Sequence, residues 1–173
     1  KIREFVPFET CAIYLVDESG RYADVIHAVG ENLELLLAKR IRIGEGATGI
    51  ALKKQETVVN VNPDLDFSVS QIELAQEYST MASLPLLSGG QLIGAVSIYS
   101  RELTQYADEH IRLLETVSRI AADAIGKSKQ HDEAKVHALT DPMTGLPNAR
   151  SLQMQFEREV ARAGRGGNGF QVL

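Results

Sequence analysis

The chain has 173 residues, 44% of them apolar and 24% charged, with a net charge of −5. Those proportions fit one soluble globular domain with an addition. There is no clustered basic face for nucleic acid, no apolar window long enough for a membrane span and no signal-peptide pattern.

The first predicted strands are Thr10–Val16 and Tyr22–Val29, rich in β-branched and aromatic residues and joined by the turn DESGR. Cys11, the single cysteine, rules out an internal disulfide and fits a reducing cytoplasm. Within TCAIYLV it reads as a core thiol rather than a reactive one. On the second strand His27 alternates with Val25 and Val29 along one expected face. ENLELLLAK (31–39) reads as a short helix or irregular crossover, and KRIRI (39–43) as a strand with one wet face.

Next comes GEGATG (44–49), which spells G-x-G-x-x-G. That pattern can cradle a dinucleotide pyrophosphate at a helix start. The fingerprint also needs a buried parallel strand before the glycines, a full helix after them and an acid about 20 residues on. Here Arg40 and Arg42 mark an exposed strand face, and IALKKQ gives a very short helix. Asp64 and Asp66 come nearest to the acid's place, but inside a loop. The glycines are expected only to turn a corner.

ETVVNV is a further strand, NPDLDFS (62–68) is turn chemistry, and residues 70–80 have a helical pattern with Ile72, Ala75 and Tyr78 or Ser79 along one side. MASLPLL and QLIGAVSIYS flank SGGQ, a hairpin signal. From Asp108 to about residue 138 the pattern is helical, with Asp108 and Glu109 in a first turn where the helix dipole favours acids. GRGGNG (164–169) reads as a flexible loop, and the chain stops in the apolar run FQVL, like a piece of a longer protein. Strands in hairpins, helices between them and a long closing helix make the fold class α+β with a central antiparallel sheet flanked by helices.

IRIGEGATGIALKKQETVVNV, then SLPLLSGGQLIGAVSIYS, then DEHIRLLETVSRIAADAI together resemble a GAF domain, over Phe5 to about Lys127. The resemblance implies a PAS-like sheet with a small-molecule pocket on one face, roofed by the 60s–80s segment. The candidate pocket residues it implies are Phe67, Tyr78, Thr80 and Ser83 from the roof, with Tyr14 and Tyr99 from strands. A core plugged by its own Phe67 and Tyr78 is the equal alternative. The pattern of cyclic-nucleotide-binding members is not met, since Gln71 and Ile72 stand where an acid pair would be and neither Asn60 nor Asn62 is followed by lysine. For bilin, Cys11 is on the wrong element. His27, His110, His131 and His137 show no metal-ligand spacing, and His27 reads as a sheet histidine rather than a haem ligand.

ALTDPMTGLPNARSLQMQFEREVARAGR resembles the opening of a GGDEF, or diguanylate cyclase, domain. Asp141, Thr144, Gly145, Leu146, Asn148 and Arg150 match its opening motif; Met143 and Ala149 depart from it. Pro142 and Pro147 cannot continue the long helix. Asp141 can accept hydrogen bonds at the turn and Arg150 can offer it a charge-assisted partner. Leu152, Phe156, Val160 and Ala163 follow at helical spacing. The resemblance places the family's metal-holding aspartate and GGDEF loop beyond Leu173, so this stretch itself is expected to carry no catalytic residues; the parent is expected to be the enzyme and to use GTP and Mg²⁺.

The chain is thus expected to divide into a GAF sensory domain at 1–127, a coiled-coil linker at 128–140 and a truncated GGDEF start at 141–173. Leu113, Val117, Ile120, Ala124, Lys127, His131, Ala134 and Ala138 alternate steps of four and three, the seam of a coiled coil. The expected partner is a second copy through the C-terminal helix, with a small-molecule ligand in the GAF pocket as a further possibility. The function implied is the sensory module of a cytoplasmic, bacterial-type cyclic-di-GMP signalling protein. Two alternatives stay open: a ligand-free dimerisation scaffold, and a degenerate GGDEF domain serving as a nucleotide receptor.

Overall fold

Strands β1 (Thr10–Val16) and β2 (Tyr22–Val29) pair antiparallel. In the turn between them Asp17 Oδ1 accepts hydrogen bonds from the Ser19 hydroxyl at 2.8 Å and from the backbone N–H groups of Arg21 and Tyr22 at 3.3 Å. This computed structural model describes residues 2–31, 33–67, 78–141, 143–144 and 146–166. The short helix α1 (Leu33–Leu37) leads to β3 (Arg40–Arg42), then α2 (Gly46–Lys54), β4 (Val58–Val61) and a 3-10 turn at Pro63–Asp66. Strands β5 (Thr80–Ser88) and β6 (Gln91–Ser100) form the second predicted hairpin. Its two-residue turn, Gly89-Gly90, has φ of 58° and 81°, the left-handed pair that matches strand twist. All pairings are antiparallel, and the six strands run in the order β3-β2-β1-β6-β5-β4. The fold is the expected α+β class.

The pleat sorts the side chains into two cores, because successive residues of a strand point to opposite faces. Ala12, Tyr14, Met81, Ala95 and Tyr99 pack on one face with Leu36, Leu52, Phe67 and Tyr78. Ala82, Leu84 and Ile98 pack on the other with Val6, Tyr106 and Leu114. Cys11 joins this second face, half-buried, and burial pushes its thiol up to about 11. That fits a packing thiol rather than a nucleophile.

One strand face is not as the alternation implies. Ile13 pairs with His27 but Tyr14 pairs with Val25, so Ile26 is an extra residue in β2. This bulge reverses the alternation. Val25 is buried, while His27 and Val29 are exposed. The single face expected for these three residues is corrected accordingly.

The long helix α3 spans Asp108–Leu139. Its buried stripe is Leu114, Ser118, Ala122 and Gly126, a run of i, i+4 steps. The small residues let the helix lie close to the sheet: a Cβ at Gly126 would collide with Ser88 of β5. Among the described residues, no helix is long and apolar enough to cross a membrane.

The described chain divides into two compact units, Lys1–Gly126 and Lys127–Leu173. In the second, α4 spans Ala149–Gly166 and so runs into the GRGGNG segment expected to be a loop. The helix expected over residues 70–80 lies outside the described residues as far as 77, and its last residue, Thr80, opens β5 instead. Pro142, Gly145, FQVL and the side chains of Ala134, Ala138 and Ala163 are also outside them.

Candidate ligand-binding site

The first sheet face brings together four of the six candidate pocket residues as a buried aromatic group. The Tyr99 ring lies 5.5 Å from those of Phe67 and Tyr78, and the Tyr14 and Tyr99 hydroxyls are 3.4 Å apart. The Tyr78 hydroxyl is 2.8 Å from Thr10 Oγ1, while the Arg101 guanidinium lies over its ring at 5.4 Å. Ser83 belongs to the floor rather than the roof, because it lies within β5 opposite Ser97. Thr80 is no roof residue either. It shares the parity of Ala82 and Leu84, which places it on the second sheet face, and its buried hydroxyl has no hydrogen-bond partner among the described residues.

Three glycines shape the wall beside this group. Gly44 and Gly46 have φ of 96° and 68°, and a Cβ at Gly49 would lie 2.5 Å from the Arg42 carbonyl oxygen. They turn the chain tightly from β3 into α2. The phosphate place at the start of α2 is already filled. Thr48 donates its N–H to Asp66 Oδ1 at 2.9 Å and its hydroxyl to Asp66 Oδ2, while Glu45 at the N-cap makes no side-chain cap. A carboxylate from the chain itself thus satisfies the helix N-terminus, where the dipole favours an anion. Gly46 makes room for it, since a Cβ there would stand 2.7 Å from Asp66 Oδ1.

From Asp66 a polar line runs to the sheet. Thr48 Oγ1, Ser97 Oγ and Ser83 Oγ are separated by 2.6 and 3.0 Å, and the Tyr99 hydroxyl donates to Asp66 Oδ2 at 3.3 Å. Burial, with the negative charge of Asp66 adding to it, holds the Tyr14 and Tyr99 phenols above their ordinary range. They remain donors across the physiological range.

Lys39 lies in the same interior. Only 7% of it is exposed, and its Nζ sits 3.8 Å from the centre of the Phe67 ring and 6.0 Å from that of Tyr99. Nζ has no hydrogen-bond partner among the described residues. Burial lowers the ammonium to about 8, against the opposing pull of Asp66. Beside this group a groove of about 170 Å³ opens to solvent between Arg40, Arg42 and the Gly46, Leu65, Asp66 and Phe67 side. Arg40 is paired with Asp17 at 2.6 Å and Arg42 with Glu45 at 3.0 Å.

Sequence reasoning missed Lys39, Thr48, Asp66 and Ser97. For Lys39 a signal existed: it shares the parity of the buried Ile41, so a strand beginning at residue 39 turns it inward. Asp66 carried no such signal, since its partner lies 18 residues away.

On α3, Leu113 and Val117 are half-buried beside the sheet, whereas Ile120 is 64% exposed and Ala124, Lys127 and His131 are exposed. The predicted seam therefore runs along the flank of the helix, next to the sheet-facing stripe. In the second unit Asp141 Oδ1 accepts from the N–H groups of Met143 and Thr144 at 3.0 Å and from the Thr144 hydroxyl at 3.1 Å. These bonds hold its carboxyl below the usual carboxylate range. Asp141 N donates to the Leu146 carbonyl at 2.8 Å, and Asn148 Oδ1 caps α4 by accepting from Ser151 N at 3.0 Å. Arg150 makes no ion pair with Asp141, so the expected charge-assisted partner is replaced by backbone donors. Met143, Leu146, Leu152, Phe156 and Val160 are exposed. No group of three metal-ligating side chains stands together among the described residues.

Comparisons with known proteins agree with this architecture. The GAF domain of a phosphoenolpyruvate-protein phosphotransferase from Coxiella burnetii superposes with a TM-score of 0.67 at 19% identity, over 76% of this chain and 80% of that one. A free methionine-R-sulfoxide reductase from Neisseria meningitidis, in complex with its substrate, gives 0.59 at 25% identity, over 75% and 74% of the two chains. Diguanylate cyclase DgcP from Pseudomonas aeruginosa is 32% identical over 162 residues, covering 88% of this chain. The chain spans about a quarter of that relative's length, 24%. The GAF domain profile matches residues 1–126, and the chain belongs to the GAF domain family.

Proposed function

We infer that this chain is the sensory and regulatory module of a diguanylate cyclase, coupling the state of its pocket through a dimeric α3 to a GGDEF output domain. The observation that carries this is the extent of the likeness to DgcP. It takes in 88% of the chain, more than the 126 residues of the GAF match, and so continues past the sensory domain. The turn at Asp141–Asn148 supports the reading, because the residues of the opening motif serve there as turn and helix cap. Pocket occupancy would act by population shift, favouring one pairing of α3 over another. The exposed Ile120 and Ala124 offer a second copy an apolar strip that the sheet leaves uncovered. In the whole protein, two GGDEF domains brought face to face would each hold one GTP with Mg²⁺ and join the two nucleotides. The structure of the Neisseria reductase with its substrate is a precedent for a small molecule bound by this fold.

The test is to express the full-length protein that contains this chain and follow conversion of GTP to cyclic-di-GMP by chromatography. Product formation supports the reading. A full-length protein with intact fold that binds GTP without turnover favours the nucleotide-receptor alternative instead.

A further inference from the structure

The ionisable groups of the pocket are unequal in one respect. Asp66 receives hydrogen bonds from Thr48 N, Thr48 Oγ1 and Tyr99, and each buried tyrosine of the aromatic group has a hydroxyl neighbour. Among the described residues Lys39 Nζ has no hydrogen-bond partner: it faces the rings of Phe67 and Tyr99 and feels the attraction of Asp66 without a hydrogen bond to it. A buried ammonium without an anion is costly, and a ring face offsets only part of that cost. Folds that bury such a charge for structure alone pair it. Here the described residues supply an aromatic cover and no hydrogen-bonded anion beside Nζ.

The surroundings limit what such an anion can be. One lysine supplies one positive charge, and the helix N-terminus that would otherwise greet a phosphate is filled by Asp66. A doubly charged phosphate would face that carboxylate. The side chains packed in the same core are Tyr14, Tyr78, Tyr99, Leu36 and Val25. Phe67 lines the open groove and its ring also covers Lys39 Nζ, so this one side chain stands between the groove and the ammonium.

We propose that the pocket receives a small monocarboxylate with an apolar or aromatic body, whose carboxylate pairs with Lys39 Nζ while its body takes the place of the Phe67 ring. This rests on the sensory reading above and names a ligand class for it. An opposite charge at Nζ favours the ammonium form, so binding would return Lys39 toward its ordinary titration range.

The test titrates the 173-residue chain with benzoate, phenylacetate and 4-hydroxybenzoate. Benzamide serves as the uncharged comparator and inorganic phosphate as the competing oxyanion. Calorimetry gives affinities, and the ¹³Cε resonance of Lys39 gives its titration. At least one carboxylate should bind saturably, at least tenfold tighter than benzamide or phosphate, and shift the Lys39 midpoint upward. Lys39→Met should weaken that binding at least tenfold with the fold intact, and Lys39→Arg should restore part of it. Equal binding of benzamide, preference for phosphate, unchanged binding by Lys39→Met, or no carboxylate of the set reaching Lys39 would each overturn the proposal. Mass spectrometry of molecules released on denaturation separates this from the sensory reading. A reproducible neutral or cationic molecule would leave that reading standing while removing the carboxylate; no released molecule together with no binding would remove both.

Discussion

Asp66 caps a helix that it does not belong to: its carboxylate takes the Thr48 N–H at 2.9 Å and the Thr48 hydroxyl at the start of α2. This one contact joins the 3-10 turn, the glycine corner and, through Ser97, the sheet. It also explains how a G-x-G-x-x-G sequence can serve without a nucleotide.

Asp66→Ala leaves the Thr48 N–H without an acceptor in a buried setting, and leaves the Tyr99 hydroxyl with only that of Tyr14 at 3.4 Å. We expect a loss of about 2–4 kcal/mol in urea unfolding, and about half of that for Asp66→Asn, which keeps an acceptor but loses the charge. Wild-type stability in Asp66→Ala would show that α2 is capped in some other way.

Gly46→Ala should act on the same contact. Its φ of 68° is left-handed, and the new Cβ would meet Leu65 O at 2.5 Å and Asp66 Oδ1 at 2.7 Å. A loss of about 1–3 kcal/mol is expected. Combined with Asp66→Ala the two losses should fall short of their sum, because both remove one interaction. Strict additivity in the double-mutant cycle would separate the glycine from the cap.

Lys39 makes stability depend on alkaline pH with a definite sign. Below about 8 the ammonium is charged in both the folded and unfolded chain, and burying it costs stability. Between about 8 and its ordinary 10.5 the folded chain gives up the proton while the unfolded chain keeps it, so this contribution rises with pH. Lys39→Met removes the charge. At pH 7 the ligand-free variant should be more stable than wild type by about 1–3 kcal/mol, an advantage that shrinks toward pH 10. Urea midpoints across that range decide it; a Lys39→Met chain less stable at pH 7 would mean the ammonium is paired in the fold.

Asn148→Ala should loosen the first turn of α4 by about 1 kcal/mol, the usual value of an N-cap side chain. Hydrogen exchange at Ser151 N, which Asn148 Oδ1 holds at 3.0 Å, is the direct reading. Unchanged protection would place the cap elsewhere.

Where local pattern governs, the sequence was informative. The Gly89-Gly90 turn, the two hairpins and the proline-free α3 follow from spacing and turn chemistry, and the structure repeats them. It misled where one residue disturbs a period. The extra Ile26 in β2 turned His27 and Val29 outward, and the true position of Thr80 in β5 moved it to the far face. Tyr14, Phe67, Tyr78 and Tyr99 were legible as candidates only through the positions that the GAF resemblance implies, and the structure gathers them on one buried face. The polar half of the pocket was not, since Asp66, Thr48 and Ser97 meet across long sequence separations that a single sequence does not show. The choice of sheet-facing residues on α3 was hidden for a related reason: Ser118 and Gly126 are buried for their small size, and polarity patterns overlook them.

The coupling of sensor to output is tested most directly by the cyclase rate of the full-length protein with Ile120→Asp and Ala124→Asp together, read beside its sedimentation. Both side chains are exposed, so the GAF fold should stay intact. The account predicts a shift from dimer to monomer and a fall of at least tenfold in cyclic-di-GMP formation. A dimer that sediments unchanged and turns over GTP at the wild-type rate would contradict it.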